Sequence, residues 1–96
     1  MRPSVALQAH RQKVRDIVSA HGAINPRVFG AVARGDDTSE SHFDLLIDPT
    51  AETTLLDVGT IRQELLILLG VTVEVLTPKA LPTRFRDSVL AEAVPV

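Results

Sequence analysis

The chain has 96 residues and a formal net charge of −2, which is the size of one small domain. Hydrophobic residues make up 45% of it and there is no cysteine, so a packed core is expected without disulfides or a zinc–thiolate site. The slightly acidic charge argues against nucleic-acid binding as the main role, and the three aromatic residues are too few for a base-stacking platform. We expect a single domain spanning residues 1–96.

The N-terminal residues are polar and charged, unlike the apolar leader of an exported protein. The longest apolar run, Leu65–Leu69, is too short to cross a bilayer. The lack of cysteine also fits a reducing compartment. We therefore expect a cytoplasmic protein that binds neither a membrane nor nucleic acid directly.

Hydrophobic periodicity and turn residues predict elements in the order α-β-β-α-β-α. The expected helices cover Ser4–His21, the stretch from a Thr53 or Thr54 cap to Leu69, and a last segment with Pro82 in its first turn; the expected strands are Arg27–Phe29, Phe43–Ile47 and Val71–Leu76. Ser4 is expected to cap the first helix and Gly70 to end the second. The second strand is apolar on both faces and should be central. This order predicts an α/β (α+β) fold, a small mixed sheet flanked by helices.

The predicted second helix carries more apolar residues than one buried face needs. Leu55, Leu56, Leu66 and Ile67 lie outside the stripe that should face the sheet, and Leu90 adds another in the last helix. Such a surplus on a small domain is typical of a partner surface. It is equally typical of a wide stripe that covers a small sheet.

A glycine turn follows the first predicted strand at Gly30 and Ala31. Such a turn lets backbone N–H groups approach phosphate oxygens. The guanidinium of Arg34 can add two parallel N–H donors to the same phosphate. The acids of the following loop, Asp36 and Asp37 among them, are expected to be solvated.

Metal-binding groups follow on the next two strands. His42 and Asp44 are two positions apart, which places both side chains on one face of a strand. Glu74, on the third strand, could complete a cage for a divalent cation. Phosphoryl and nucleotidyl transfer use such cations to neutralise a triphosphate.

These residues resemble the minimal nucleotidyltransferases of the DNA-polymerase-β superfamily. The hallmark of that family is Gly-Ser, ten residues, Asp-x-Asp, and a third acid on a later strand. This chain has Gly30-Ala31, ten residues, and then His42-Phe43-Asp44, with Glu74 later. The segments RVFGAVARG, FDLLID and VTVEVLTP are similar to bacterial MNT antitoxins, and the resemblance covers nearly the whole chain.

The resemblance implies a nucleotidyltransferase fold, ATP and Mg²⁺ (or Mn²⁺) as cofactors, and a hetero-oligomer with a HEPN ribonuclease toxin. Active members transfer AMP from ATP to a tyrosine of that toxin. Carried over by position, the catalytic residues are Asp44 and Glu74, which with His42 are also the metal ligands. The nucleotide-binding residues are the three of the glycine turn: Gly30, Ala31 and Arg34.

Two departures from the hallmark fall on the chemistry. Ala31 replaces the serine and removes a hydroxyl donor, and His42 replaces the first aspartate. An imidazole supplies no negative charge and is a poor Mg²⁺ ligand. Three functions stay open: an antitoxin that acts by binding alone, a working Mg²⁺-dependent protein adenylyltransferase, or a small-substrate nucleotidyltransferase.

Overall fold

The structure is a computed structural model that describes residues 1–96. Its elements are α1 (Pro3–Ala20), β1 (Ile24–Phe29), α2 (Gly30–Arg34), β2 (Phe43–Asp48), α3 (Leu55–Leu69), β3 (Val73–Leu76), a 3₁₀ turn (Pro78–Ala80), α4 (Thr83–Glu92) and β4 (Val94–Pro95). The strands form one sheet in the order β3-β2-β1-β4. β2 and β3 are parallel, and the other pairs are antiparallel. The predicted fold class, a small mixed sheet flanked by helices, is confirmed. None of the helices combines the length and the apolar composition of a membrane span.

The structure contains two short elements, α2 and β4, that the predicted order does not include. α2 begins directly at Gly30, where the sequence was expected to form mainly a loop. β4 has only two residues, and its Val94 pairs with Val28 of β1. Elements of this length show no hydrophobic period, and proline is rare in strands except at sheet edges such as β4. β1 begins at Ile24, earlier than predicted, and its register shifts before Arg27.

β2 is an inner strand of the sheet, as its apolar sequence predicted. It lies between β3 and β1, and four of its side chains are fully buried: Phe43, Leu45, Leu46 and Ile47. Because side chains alternate along a strand, Asp44 points to the face opposite Phe43 and Leu45. The latter two belong to the core that α1 and α3 complete through Val14 and Ile61. The acid of β2 therefore points away from these two helices.

α3 begins and ends where its capping residues predict. The Thr54 side chain accepts from the Asp57 N–H, and the Asp57 carboxylate accepts from the Thr54 N–H, which forms a capping box. Gly70 ends the helix in the left-handed conformation at φ 67°. The sequence predicts that this helix turns Val58, Ile61, Leu65, Leu68 and Leu69 inward. Three of these residues, Ile61, Leu65 and Leu69, are buried, and the other two pack partly buried against the core.

Two expectations were wrong, one about the start of α1 and one about the loop before β2. Ser4 lies inside α1 rather than capping it, because the helix begins at Pro3 after Arg2. The capping carboxylate comes from Asp37, whose Oδ2 accepts from the Ser4 N–H at 2.8 Å and whose Oδ1 accepts from Arg2 Nη2 at 3.2 Å. Asp37 is only 4% exposed, although its loop was expected to be solvated. It ties the loop that leads into β2 to the start of α1.

Desolvation of Asp37 by burial raises its pKa, but the hydrogen bonds from Ser4 and the Arg2 guanidinium outweigh it and hold the pKa below the ordinary aspartate value. A lowered pKa in the folded state means that the stabilisation is fully present above about pH 4 and is lost as the pH falls through the lowered pKa.

We predict that Asp37→Ala lowers the free energy of unfolding by about 1–3 kcal/mol, because it leaves the first turn of α1 uncapped. The variant should also lose part of the acid dependence of stability below about pH 4. Urea unfolding measured at neutral and acidic pH tests both effects. Glu40→Ala, in the same loop but exposed, is the matched control and should change stability by less than about 0.5 kcal/mol. Equal losses in the two variants would contradict a capping role.

Candidate active site

The structure brings together the three side chains that the sequence proposed as metal ligands. Parallel pairing of β2 and β3 places Asp44 opposite Glu74, and His42 immediately precedes β2. One ligand atom from each residue lies within 4.8 Å of the others. His42 and Glu74 are exposed and Asp44 is half-buried, so the cluster opens to solvent. Their function as ligands remains a prediction.

The electrostatics at Asp44 favour a cation. Burial and the nearby Glu74 carboxylate raise the pKa of Asp44, and Glu92 acts in the same direction, whereas His42 and Arg34 lower it. Ionisation of Asp44 is therefore less favourable in the folded protein than in water. A divalent cation between the two carboxylates would offset their repulsion.

The three candidate ligands can be compared with what Mg²⁺ and Mn²⁺, the cations implied by the resemblance, prefer. Two carboxylates and one imidazole nitrogen supply three ligands, with His42 Nδ1 4.0 Å from the Oε2 atom of Glu74. Mn²⁺ and Zn²⁺ accept nitrogen donors, whereas Mg²⁺ prefers oxygen ligands. The residues fit one divalent cation, and of Mg²⁺ and Mn²⁺ they fit Mn²⁺ better. They lack the further carboxylate that would bridge two Mg²⁺ ions.

Gly30 lies against the Asp44 carboxylate. Its φ is +69°, and a Cβ atom added there would lie 2.5 Å from the Oδ2 atom of Asp44. Both the backbone conformation and the close approach therefore require glycine at this position. The pairing of β1 with β2 brings Gly30 close to Asp44, because Phe29, the residue before Gly30, is opposite Asp44 in the sheet.

The predicted phosphate-binding turn has an unpredicted neighbour from α4. The Gly30 N–H donates to Glu92 Oε1 at 2.8 Å, and Arg34 Nη1 donates to Glu92 Oε2 at 3.4 Å. Arg34 Nε also lies 3.5 Å from the Asp36 carboxylate. Sequence analysis did not identify Glu92, which is separated from Gly30 by 62 positions. No local pattern marks such a residue, because only the packing of α4 brings it to the turn.

A small mixed sheet that carries two acids and a histidine beside a glycine turn is typical of the nucleotidyltransferase fold, and comparisons with known proteins give the family. No protein-family model matches the chain. It is 33% identical over 86 residues to MJ0435 of Methanocaldococcus jannaschii, provisionally named a protein adenylyltransferase, and the match covers 90% of this chain and 92% of that one. A solved structure provisionally described as a minimal nucleotidyltransferase has a TM-score of 0.86 and 40% identity, covering 97% and 95% of the two chains. The chain therefore belongs to the minimal nucleotidyltransferases.

More distant solved structures share the fold. A toxin–antitoxin crystal structure with AMP-PNP has a TM-score of 0.74 at 14% identity, over 88% of this chain and 69% of that chain. A mutant of the MntA–HpeT toxin–antitoxin has a TM-score of 0.72 at 12% identity, over the same shares. At these identities the likeness concerns the fold alone.

We predict that Gly30→Ala weakens Mn²⁺ binding about tenfold, because the added methyl group displaces the Asp44 carboxylate. Gly35→Ala is the matched control: Gly35 has a similar φ of +78° but has no atom within 4 Å of an added Cβ. Both variants should lose about 1–2 kcal/mol of stability through backbone strain. Mn²⁺ titration followed by electron paramagnetic resonance, beside urea unfolding, separates the two effects. Equal Mn²⁺ affinities in the two variants would show that Asp44 is not a ligand.

Proposed function

We propose that the chain is an antitoxin that neutralises a cognate HEPN ribonuclease toxin chiefly by binding it in a hetero-oligomer. Membership of the minimal nucleotidyltransferases supports this, and so does the fold that the chain shares with structures of toxin–antitoxin complexes. A reading frame next to this one that encodes a HEPN protein would identify the partner.

The replacement of one acid by His42 in an otherwise intact cluster is the observation that favours binding over catalysis. In a two-metal site, the carboxylate shared by both ions sets their spacing and offsets their repulsion. A neutral imidazole does neither well with Mg²⁺. Ala31 also lacks the hydroxyl that a serine would offer to phosphate. Both changes affect the chemistry and leave the fold unchanged.

An apolar surface on α3 supports a contact role. Leu55, Leu56 and Ile67 are 91%, 79% and 74% exposed. Leu56 and Ile67 are eleven positions apart, close to three helical turns, so they lie on the same side of α3. Leu66, from the same predicted surplus, instead packs partly buried against the core. Large exposed apolar side chains on a small domain are typical of a protein interface.

AMP transfer from ATP is the second candidate, supported by the convergence of Asp44, Glu74 and His42. In this reaction, the acceptor hydroxyl oxygen bonds to the α-phosphorus of ATP, pyrophosphate leaves, and the hydroxyl proton passes to a base or to solvent. Asp44, Glu74 and His42 would hold Mg²⁺ or Mn²⁺, which neutralises phosphate charge when bound. Gly30, Ala31 and Arg34 would orient the phosphates.

We predict that the native chain transfers AMP to its toxin very slowly or not at all, yet blocks toxicity when co-expressed. His42→Asp combined with Ala31→Ser should raise the rate by about 100-fold or more, because each 1.36 kcal/mol of transition-state stabilisation is roughly tenfold in rate. Labelling of the purified toxin with radioactive ATP and growth rescue by the same variants test this.

Asp44→Ala in the double variant is the control for this experiment and should abolish the restored labelling while leaving growth rescue intact. Fast labelling by the native chain, lost together with growth rescue in Asp44→Ala, would contradict neutralisation by binding. It would show that His42 supports the chemistry.

We also predict that Leu56→Asp and Ile67→Asp each weaken toxin binding about tenfold or more, because each places a charge in an apolar interface. Stability should change by less than about 0.5 kcal/mol, since both side chains are exposed. Phe85→Asp is the matched control on α4, where Phe85 is 48% exposed. Isothermal calorimetry with the purified toxin measures the affinities. A loss in Phe85→Asp but not in the α3 variants would place the interface on α4.

A further inference from the structure

α4 is held on the protein by few strong contacts. None of its residues is buried. At its N-terminal end, Arg86 donates to the backbone carbonyls of Pro78, Lys79 and Leu81. At its C-terminal end, the Glu92 carboxylate accepts two hydrogen bonds, from the Gly30 N–H and from the Arg34 guanidinium. A charged side chain therefore contributes to holding this end of α4 against the glycine turn.

The two partners of Glu92 are groups assigned above to the phosphates of a nucleotide. One carboxylate oxygen contacts the Gly30 N–H at 2.8 Å and the other contacts Arg34 Nη1 at 3.4 Å. A carboxylate and a phosphate both present oxygen acceptors to such donors. The side chain of Glu92 is 30% exposed and that of Arg34 is 53% exposed. The contact between them is therefore open to solvent, from which an anion can approach the Arg34 guanidinium.

We propose that Glu92 is an internal competitor of the nucleotide, whose carboxylate occupies the Gly30 N–H and the Arg34 guanidinium until a nucleotide phosphate displaces it. The proposal rests on the proposed nucleotide binding at this site and adds its regulation. In the free protein, Glu92 satisfies the two donors and adds negative charge near Asp44. Both effects oppose the binding of a triphosphate.

The competition links the nucleotide to the position of α4. β4 begins two residues after Glu92 and pairs with β1. This pairing anchors the chain beyond the helix while the Glu92 side chain moves. A partner that draws Glu92 away from Gly30 therefore raises nucleotide affinity, and by linkage the nucleotide raises the affinity for that partner by the same factor.

The test measures the affinity of the full chain for Mn²⁺–ATP and for inorganic tripolyphosphate by calorimetry. Glu92→Gln keeps the side-chain length and an oxygen acceptor but removes the charge, and Glu92→Ala removes both. We expect both ligands to bind about tenfold more tightly to Glu92→Ala, with Glu92→Gln intermediate. Asp87→Asn removes the same charge from an exposed position on α4 and should leave both affinities within about twofold of the native value.

Amide NMR provides a second readout at Gly30. Its N–H signal should differ between the native chain and Glu92→Gln without ligand, and the two signals should converge at saturating inorganic tripolyphosphate, which is diamagnetic. Thermal unfolding confirms that the variants are folded, and Glu92→Gln alone suffices if Glu92→Ala does not fold.

Each outcome has a distinct meaning. Equal affinities in the native chain and the Glu92 variants would overturn the competition and leave nucleotide binding intact. Weaker binding to Glu92→Gln would show that Glu92 positions Arg34 for the nucleotide, which also overturns it. Absence of nucleotide binding in every variant would remove the proposed nucleotide site, and the competition with it.

Discussion

The parallel pairing of β2 and β3 is the contact on which both the core and the candidate site depend. One face of the pair supplies Phe43, Leu45 and Val73 to the core beneath α1 and α3. The other face presents Asp44 beside Glu74. Because side chains alternate along a strand, a slip of one residue would bury an acid and expose a phenylalanine. The burial of the core therefore fixes the spacing of the two carboxylates.

Charge balance is the second constraint on the site. Asp44, Glu74 and Glu92 carry negative charge around it, and Arg34 is the cation nearest to Glu92. Burial of Asp44 beside Glu74 raises its pKa, and a divalent cation between the two carboxylates would offset their repulsion. With His42 in place of an acid, the cluster provides less negative charge than a two-metal site needs. We therefore propose that the site holds one cation and supports phosphate chemistry only weakly.

The proposed toxin contact and the proposed cation site occupy different parts of this domain. His42, Asp44 and Glu74 cluster at β2 and β3, whereas the most exposed leucines lie at the start of α3. Ala31 and His42 belong neither to the core nor to the exposed surface of α3. An antitoxin whose chemistry has weakened can therefore keep its contact surface, because the two properties depend on separate side chains. In the proposed competition, Glu92 links the helix beside the site to nucleotide binding.

The sequence alone determined the features with a local signal. The apolar residues on both faces of Phe43–Ile47 predicted an inner strand, and Gly70 predicted the end of α3. The spacing from Gly30 to Asp44 indicated the family and its cluster. Each of these depends on residues within one or two elements, where periodicity or conformational preference is visible.

Only the tertiary structure decided the long-range polar contacts. Asp37 caps a helix 33 positions away, and Glu92 reaches Gly30 across 62 positions. A single acid in a loop or on a helix has the same local pattern whether it is solvated or paired, because its partner is fixed by packing rather than by its neighbours in sequence. β4 depends on packing in the same way: two residues become a strand only because β1 provides an unpaired edge beside them.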